Sequence, residues 1–180
     1  MVQGNPQAAI EGYHKALAIK PDFEIVFRDL CRVLFLSGGN ERARTVILEG
    51  ISLNPQVADF QYYLGNLCMH ENKLDDAIAC YQKALAIQPD SIGVHTNMGK
   101  AFLEKGDIEN ATNWYRKALQ LNPTSIEAMS CLLFAQAYDP ACLPTRYLAD
   151  ARRYGSAVLA NARPYTSWPA ASMRFRRISR

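Results

Sequence analysis

Apolar side chains recur every three to four residues along most of this chain, and short polar or glycine-containing stretches interrupt the pattern at regular intervals. The spacing predicts helices over about 6–20, 24–36, 41–53, 58–70, 74–87, 92–104 and 108–121, another starting at Ile126, and one over about 145–161. Within 92–121, Met98, Phe102, Ala111, Tyr115, Ala118 and Leu119 form the predicted seam between two helices. On the last helix, Tyr147, Leu148, Ala151, Tyr154, Val158 and Leu159 fall on one side, which predicts a cover for the end of a stack. Asp75 and Asp107 stand near helix starts, where a carboxylate complements unpaired backbone N–H groups.

These helices come in pairs with a fixed register. Pro21, Pro55, Pro89 and Pro123 are 34 residues apart. Twelve residues before each stands Ala9, Ala43, Ala77 or Ala111; five before stands Ala16, Gly50, Ala84 or Ala118; eight before stands Tyr13, Ile47, Tyr81 or Tyr115. A period of this size means one helical hairpin stacked on copies of itself, because a single hairpin cannot bury its own apolar side. Small residues mark where helices touch, the aromatic fills the gap beside them, and proline bars its predecessor from helical geometry. The units are 24–57, 58–91 and 92–125. Residues 1–23 read as the second half of a truncated repeat with Gly4 at its turn, which leaves Ala9, Tyr13, Ala16 and Leu17 short of cover. Residues 126–162 read as a degenerate repeat and capping helix, with Leu133 at the small-residue position and Asp139-Pro140 at the turn. Residues 163–180 have no period and are expected to form a disordered basic tail.

The pattern of small residues, aromatic and terminal proline resembles the tetratricopeptide repeat. The fullest copy, 92–125, has Gly99, Gly106, Ala111, Tyr115, Ala118 and Pro123; 58–91 has Gly65, Ala77, Tyr81, Ala84 and Pro89; 24–57 is weaker, with Cys31, Ile47 and Gly50 at the corresponding places. The resemblance implies an all-α fold, a right-handed superhelix of antiparallel helix pairs.

Charge and composition narrow the function. The net charge is +3, but Arg163, Arg174, Arg176, Arg177 and Arg180 lie in the tail, and without these five the remainder carries −2. Repeats of that balance are not a nucleic-acid surface. No apolar run reaches membrane-spanning length and the N-terminus has no signal-peptide pattern, so a cytoplasmic location is expected. Cys31, Cys68, Cys80, Cys131 and Cys142 form no CxxC pair and read as buried thiols. His14, His70 and His95 occupy unrelated positions in three units and read as packing or surface residues, so no metal site is expected. There is no GxSxG, HExxH, P-loop or dinucleotide turn, and hence no catalytic residue, cofactor or small-molecule substrate to assign.

What a stack of hairpins offers is the concave surface lined by the first helix of each pair. The candidate groove residues are Arg28, Asp29 and Arg32, then Tyr62, Tyr63 and Asn66, then Thr96, Asn97 and Lys100. The expected partner is a protein or an extended peptide. Asn97 stands out, because an amide donates and accepts at once and can pair with any peptide backbone. The arginines and Lys100 would add a preference for acidic partners. A carboxylate clamp is not matched, since Tyr63 and Gly93 stand where it needs polar or basic groups.

A second resemblance lies at the end of the array. Residues 130–140 (SCLLFAQAYDP) and 143–155 (LPTRYLADARRYG) are similar to the junction between repeats and catalytic region in bacterial proteins related to O-linked N-acetylglucosamine transferases, glycosyltransferase family 41. His95 to Gly99 (HTNMG) also resembles their repeats, in which groove asparagines hold the acceptor polypeptide. Asn97 matches that position, Tyr63 and Asp29 do not, and Ala151 stands where relatives carry a histidine before Arg152 and Arg153. The resemblance implies an acceptor-recruiting repeat region cut off before its catalytic domains. It carries over no catalytic or donor-binding residue, and this chain alone is expected to transfer no sugar. Two alternatives stay open: a free-standing adaptor, and a subunit that completes a glycosyltransferase in trans.

Overall fold

The computed structural model describes residues 6–20 and 24–161. The expectations for Gly4, Pro21 and the tail after residue 162 lie outside them. Among the described residues the secondary structure is helical: α1 (Pro6–Ile19), α2 (Glu24–Leu36), α3 (Asn40–Leu53), α4 (Ala58–His70), α5 (Leu74–Ile87), α6 (Ile92–Glu104), α7 (Ile108–Leu121), α8 (Ile126–Ala137) and α9 (Pro144–Asn161). Helices α2–α3, α4–α5, α6–α7 and α8–α9 pair as hairpins, and α1 packs on α2. The first helices α2, α4, α6 and α8 also touch one another in sequence, which makes them one continuous wall of an all-α solenoid.

The repeat register determines the local geometry of each unit. The turns inside three hairpins place a residue at positive φ: Gly38 at 78°, Asn72 at 57° and Gly106 at 80°, each 34 residues from the next. Glycine reaches this region without a Cβ clash, and asparagine tolerates it better than other residues. The residues before Pro55, Pro89 and Pro123 leave the helix at φ/ψ of −137/74°, −131/90° and −134/96°. Each still donates its N–H to the carbonyl four residues back, on Gly50, Ala84 or Ala118, so the helix ends at the residue that the proline ring constrains.

The core forms three clusters along the stack. The first joins Ile10, Phe27, Leu30, Leu34, Ile47, Phe60 and Leu67; the second Ala77, Tyr81, Ala84, Val94 and Met98; the third Ala111, Tyr115, Ala118, Leu119, Met129 and Leu132. The predicted seam residues are buried, except Phe102, which is partly buried between the second and third clusters. Gly65 and Gly99 are where α4 and α6 receive the tyrosine rings of their partner helices. A Cβ added to Gly65 would meet Tyr81 Cε1 at 2.5 Å, and one on Gly99 would lie closer still to Tyr115.

Four expectations are corrected here. Thr96 is buried, and its hydroxyl donates to Ile92 O at 2.9 Å, because it lies on the side of α6 turned into the stack. The last helix has no fully buried residue: Tyr154 and Ala157 pack against the third cluster, while Leu148 and Leu159 are 52% and 76% exposed. It covers the stack with a narrower face than its apolar pattern implied. Asp107 is an N-cap that accepts from Asn110 N at 3.0 Å, whereas Asp75 sits inside the first turn of α5 and pairs with Lys105. Of the five cysteines, Cys31, Cys68 and Cys80 are buried, but Cys131 and Cys142 are only half-buried.

Candidate functional site

The middle of the wall formed by the first helices carries a polar network that links two repeats. Tyr81 on α5 lays its ring over Gly65, and its hydroxyl donates to Asn66 Oδ1 on α4 at 2.8 Å. Asn97 on α6, one unit further on, donates from Nδ2 to the same oxygen at 2.8 Å and to the Tyr62 hydroxyl at 3.3 Å. Asn66 Oδ1 is thus saturated by two donors, and both hydrogens of the Asn97 amide are engaged. The groups left over are Asn66 Nδ2, with two hydrogens, and Asn97 Oδ1, with two lone pairs. Burial and the neighbouring Tyr62 raise the pKa of Tyr81, so its hydroxyl stays a donor at any physiological pH.

This network lines a shallow cavity of about 290 Å³, together with Phe35, Met69, His70, Lys100 and Glu127. Lys100 Nζ reaches Glu127 Oε1 at 2.7 Å on the next unit. Burial works to lower the Lys100 pKa, but the hydrogen bond and charge of Glu127 outweigh it and hold the ammonium above its ordinary value.

The sequence-derived candidates are therefore only partly brought together. Tyr62, Asn66, Asn97 and Lys100 share one cavity. Arg28 and Arg32 do not line it: Arg28 faces Asp59 at 3.6 Å and Arg32 pairs with Asp29 at 3.3 Å on its own helix. Tyr63 leans into the first core cluster beside Tyr62, and burial pushes its pKa up to about 12. Asn97 was expected to offer a free amide, but it presents only its oxygen, because Asn66 and Tyr62 orient its nitrogen. His95 is buried, with Nδ1 against Ser91 O at 2.8 Å and its ring beside Trp114, as a packing histidine should be.

Sequence reasoning missed a second cavity one unit further along. It measures about 590 Å³ and is lined by Lys100, Leu103, Glu104, Tyr115, Ser130, Cys131 and Phe134. The signal was present in the register, since Phe134 occupies the position of Asn66 and Lys100 in successive units, and Cys131 that of Tyr63 and Asn97. Among the described residues, no group of three or more His, Cys, Asp or Glu side chains is arranged to hold a metal. No described helix is long and apolar enough to cross a membrane.

Comparisons with known proteins agree with this architecture. The family profile described as TPR repeat matches residues 65–106 and 99–137. The protein O-mannosyl-transferase Tmtc3 of Drosophila melanogaster is 31% identical over 58 residues, which is 32% of this chain and only 6% of that protein. Among solved structures, MamA superposes with a TM-score of 0.75 at 20% identity, over 88% of this chain and 91% of its own. YrrB, described as a TPR protein with an unusual peptide-binding site, gives 0.70 at 17% identity over 84% of this chain and 77% of its own. A mutant O-GlcNAc transferase of Thermobaculum terrenum gives 0.68 at 18% identity, over 86% of this chain but 27% of that one. At such identities the structural likenesses establish the fold alone. The family match shows tetratricopeptide repeats over residues 65–137, the constant 34-residue register and the solenoid fold extend along the array, and that array resembles the repeat region of the O-GlcNAc transferases.

Proposed function

We propose that the chain is a scaffold that receives an extended stretch of polypeptide along its concave wall. The observation that carries this reading is the residual hydrogen-bonding capacity at Asn66 and Asn97. Asn66 Nδ2 donates and Asn97 Oδ1 accepts, one from each of two adjacent helices, which matches the C=O and N–H of a peptide backbone without reading its sequence. Tyr81 and Tyr62 fix both amides in advance, which reduces the ordering cost on binding. Each bond contributes only about 0.5–1.5 kcal/mol net, so side-chain pockets along the wall supply the rest.

Asn66→Asp tests the reading. It keeps the oxygen to which Tyr81 and Asn97 donate but replaces the groove-facing amine with a second acceptor. Binding of a fluorescein-labelled, unstructured alanine/serine-rich peptide, followed by polarisation, should weaken at least about five-fold with far-UV circular dichroism unchanged. Unaltered binding would remove the groove assignment.

The finer reading is that this wall recruits acceptors for a protein O-linked N-acetylglucosamine transferase. It is supported by the resemblance at 95–99 and 130–155 and by two glycosyltransferases among the relatives. The chain spans a small part of both, so sugar transfer would need catalytic domains beyond these 180 residues, in the same polypeptide or in trans. On this reading the purified chain hydrolyses no uridine diphosphate sugar, and measurable hydrolysis would refute it. A free-standing adaptor would capture the same peptides but would bind no separately expressed catalytic region in a pull-down.

A further inference from the structure

Tyr81 and Tyr115 are equivalent residues 34 apart, each with its ring over the glycine of the preceding helix. Their hydroxyls have different fates. Tyr81 finds Asn66 Oδ1, but the residue one repeat after Asn66 is Lys100, which has no acceptor and extends to Glu127 instead. The Tyr115 side chain is fully buried, and its hydroxyl has no hydrogen-bond partner. A buried polar group without a partner is uncommon and calls for a physical reason.

The adjoining cavity of about 590 Å³ is lined by Tyr115, whose hydroxyl lies behind the cavity wall with almost no accessible surface. Its other walls include Leu103, the half-buried Cys131, Phe134, which is 57% exposed, and Ser130, whose hydroxyl donates to Glu127 O. The charges nearby are Lys100, already neutralised by Glu127, and Glu104, which leaves that side of the cavity short of positive charge. A carboxylate or phosphate is therefore disfavoured, while a flat apolar group with one neutral hydroxyl suits Leu103, Cys131 and Phe134 together with the unpartnered Tyr115 hydroxyl. The geometry points to a tyrosine-selective pocket: the side chain of a tyrosine in the bound polypeptide packs on Phe134 and Leu103 and, with a small shift of the wall that uncovers it, exchanges a hydrogen bond with the Tyr115 hydroxyl. This rests on the groove reading for the polypeptide, but the pocket itself is testable without one. It turns a wall that reads backbone at Asn66 and Asn97 into one that also selects a side chain one repeat further on.

Two measurements separate the pocket from the groove. In the first, 4-methylphenol and toluene are titrated separately into the isotope-labelled chain, with chemical-shift changes followed at Leu103, Cys131 and Phe134. 4-Methylphenol should bind several-fold tighter than toluene, and Tyr115→Phe should remove about five-fold of the 4-methylphenol affinity while leaving that of toluene in place. No shift at these residues, or equal affinity for the two probes, overturns the pocket whether or not peptides bind. In the second, the alanine/serine peptide carries a single Tyr, Phe or Ala at its centre. The Tyr peptide should bind roughly five-fold tighter than the Phe peptide in the native chain and equally in Tyr115→Phe. A preference for Phe, or a Tyr preference that survives Tyr115→Phe, sinks the proposal. If no peptide binds but 4-methylphenol does, the groove reading fails and the pocket stands. Tyr115→Phe removes a hydroxyl that has no partner and adds no atoms, so loss of folding is not an expected outcome, and thermal melting checks it.

Discussion

Gly99→Ala sets two effects of opposite sign against each other at one atom. In a helix interior alanine is favoured over glycine by about 0.8–1.0 kcal/mol, so propensity alone predicts a more stable protein. The structure predicts the reverse. The added methyl would sit closer than van der Waals contact allows to three atoms of the Tyr115 ring, including Cζ at 2.8 Å. That ring is fully buried and wedged among Ala111, Ala118 and Met129, so it cannot swing aside as an exposed side chain would. Overpacking of this kind costs about 1–3 kcal/mol and sometimes more, which exceeds the propensity gain and leaves a net loss of up to about 2 kcal/mol. Gly155→Ala is the internal control: it lies within α9, and a Cβ there meets nothing within 4 Å, so propensity acts alone and stabilises by up to about 1 kcal/mol. Urea unfolding followed by helical ellipticity reads both, with midpoints compared at constant slope, since hairpin arrays can unfold in stages. If Gly99→Ala were as stable as the native chain while Gly155→Ala gained stability, close tyrosine–glycine packing would not be what holds α6 to α7.

Other outcomes follow from the same geometry. Tyr81→Phe should cost about 0.5–1.5 kcal/mol in urea unfolding, because it leaves the Asn66 oxygen one donor short, whereas Tyr115→Phe should be neutral or stabilising; equal losses would mean that the two hydroxyls are equally satisfied. Asp107→Ala should lower the unfolding midpoint at neutral pH by removing the cap on Asn110 N. The Asn110 side-chain and backbone hydrogen bonds depress the folded-state pKa of Asp107, so its contribution is complete above the ordinary carboxylate range, near pH 4, and fades as pH falls through the depressed value. The gap between native and variant midpoints should close on acidification, and a constant gap would exclude the carboxylate as its cause. Burial pushes the thiols of Cys31 and Cys80 up to about 12 and about 11, so at pH 8 a thiol-reactive dye should label Cys142 first and reach Cys31 and Cys80 only on unfolding, as read by peptide mass mapping.

The order of helices, the hairpin pairing and the solenoid class were legible in the chain because each is set by local or strictly periodic chemistry. Proline constrains the residue before it, a turn position needs positive φ, and a small residue opposite an aromatic has one workable packing, so Gly65 with Tyr81 and Gly99 with Tyr115 could be paired by counting. The first-helix residues Tyr62, Asn66, Asn97 and Lys100 were legible as groove candidates for the same reason. What each one faces was decided by neighbours that differ from unit to unit. Asn66 and Lys100 share a register position, yet one accepts from a tyrosine and the other stretches to Glu127, which leaves Tyr81 paired and Tyr115 alone. Thr96 turned inward because a few tens of degrees of helix rotation, set by packing across the stack, separates one face of α6 from the core, while Arg32 closed on Asp29 one turn back along its own helix. Periodicity specifies where a side chain starts; which atoms lie within hydrogen-bonding distance of its end, on its own helix, its partner helix or the next unit, is decided only in the assembled stack.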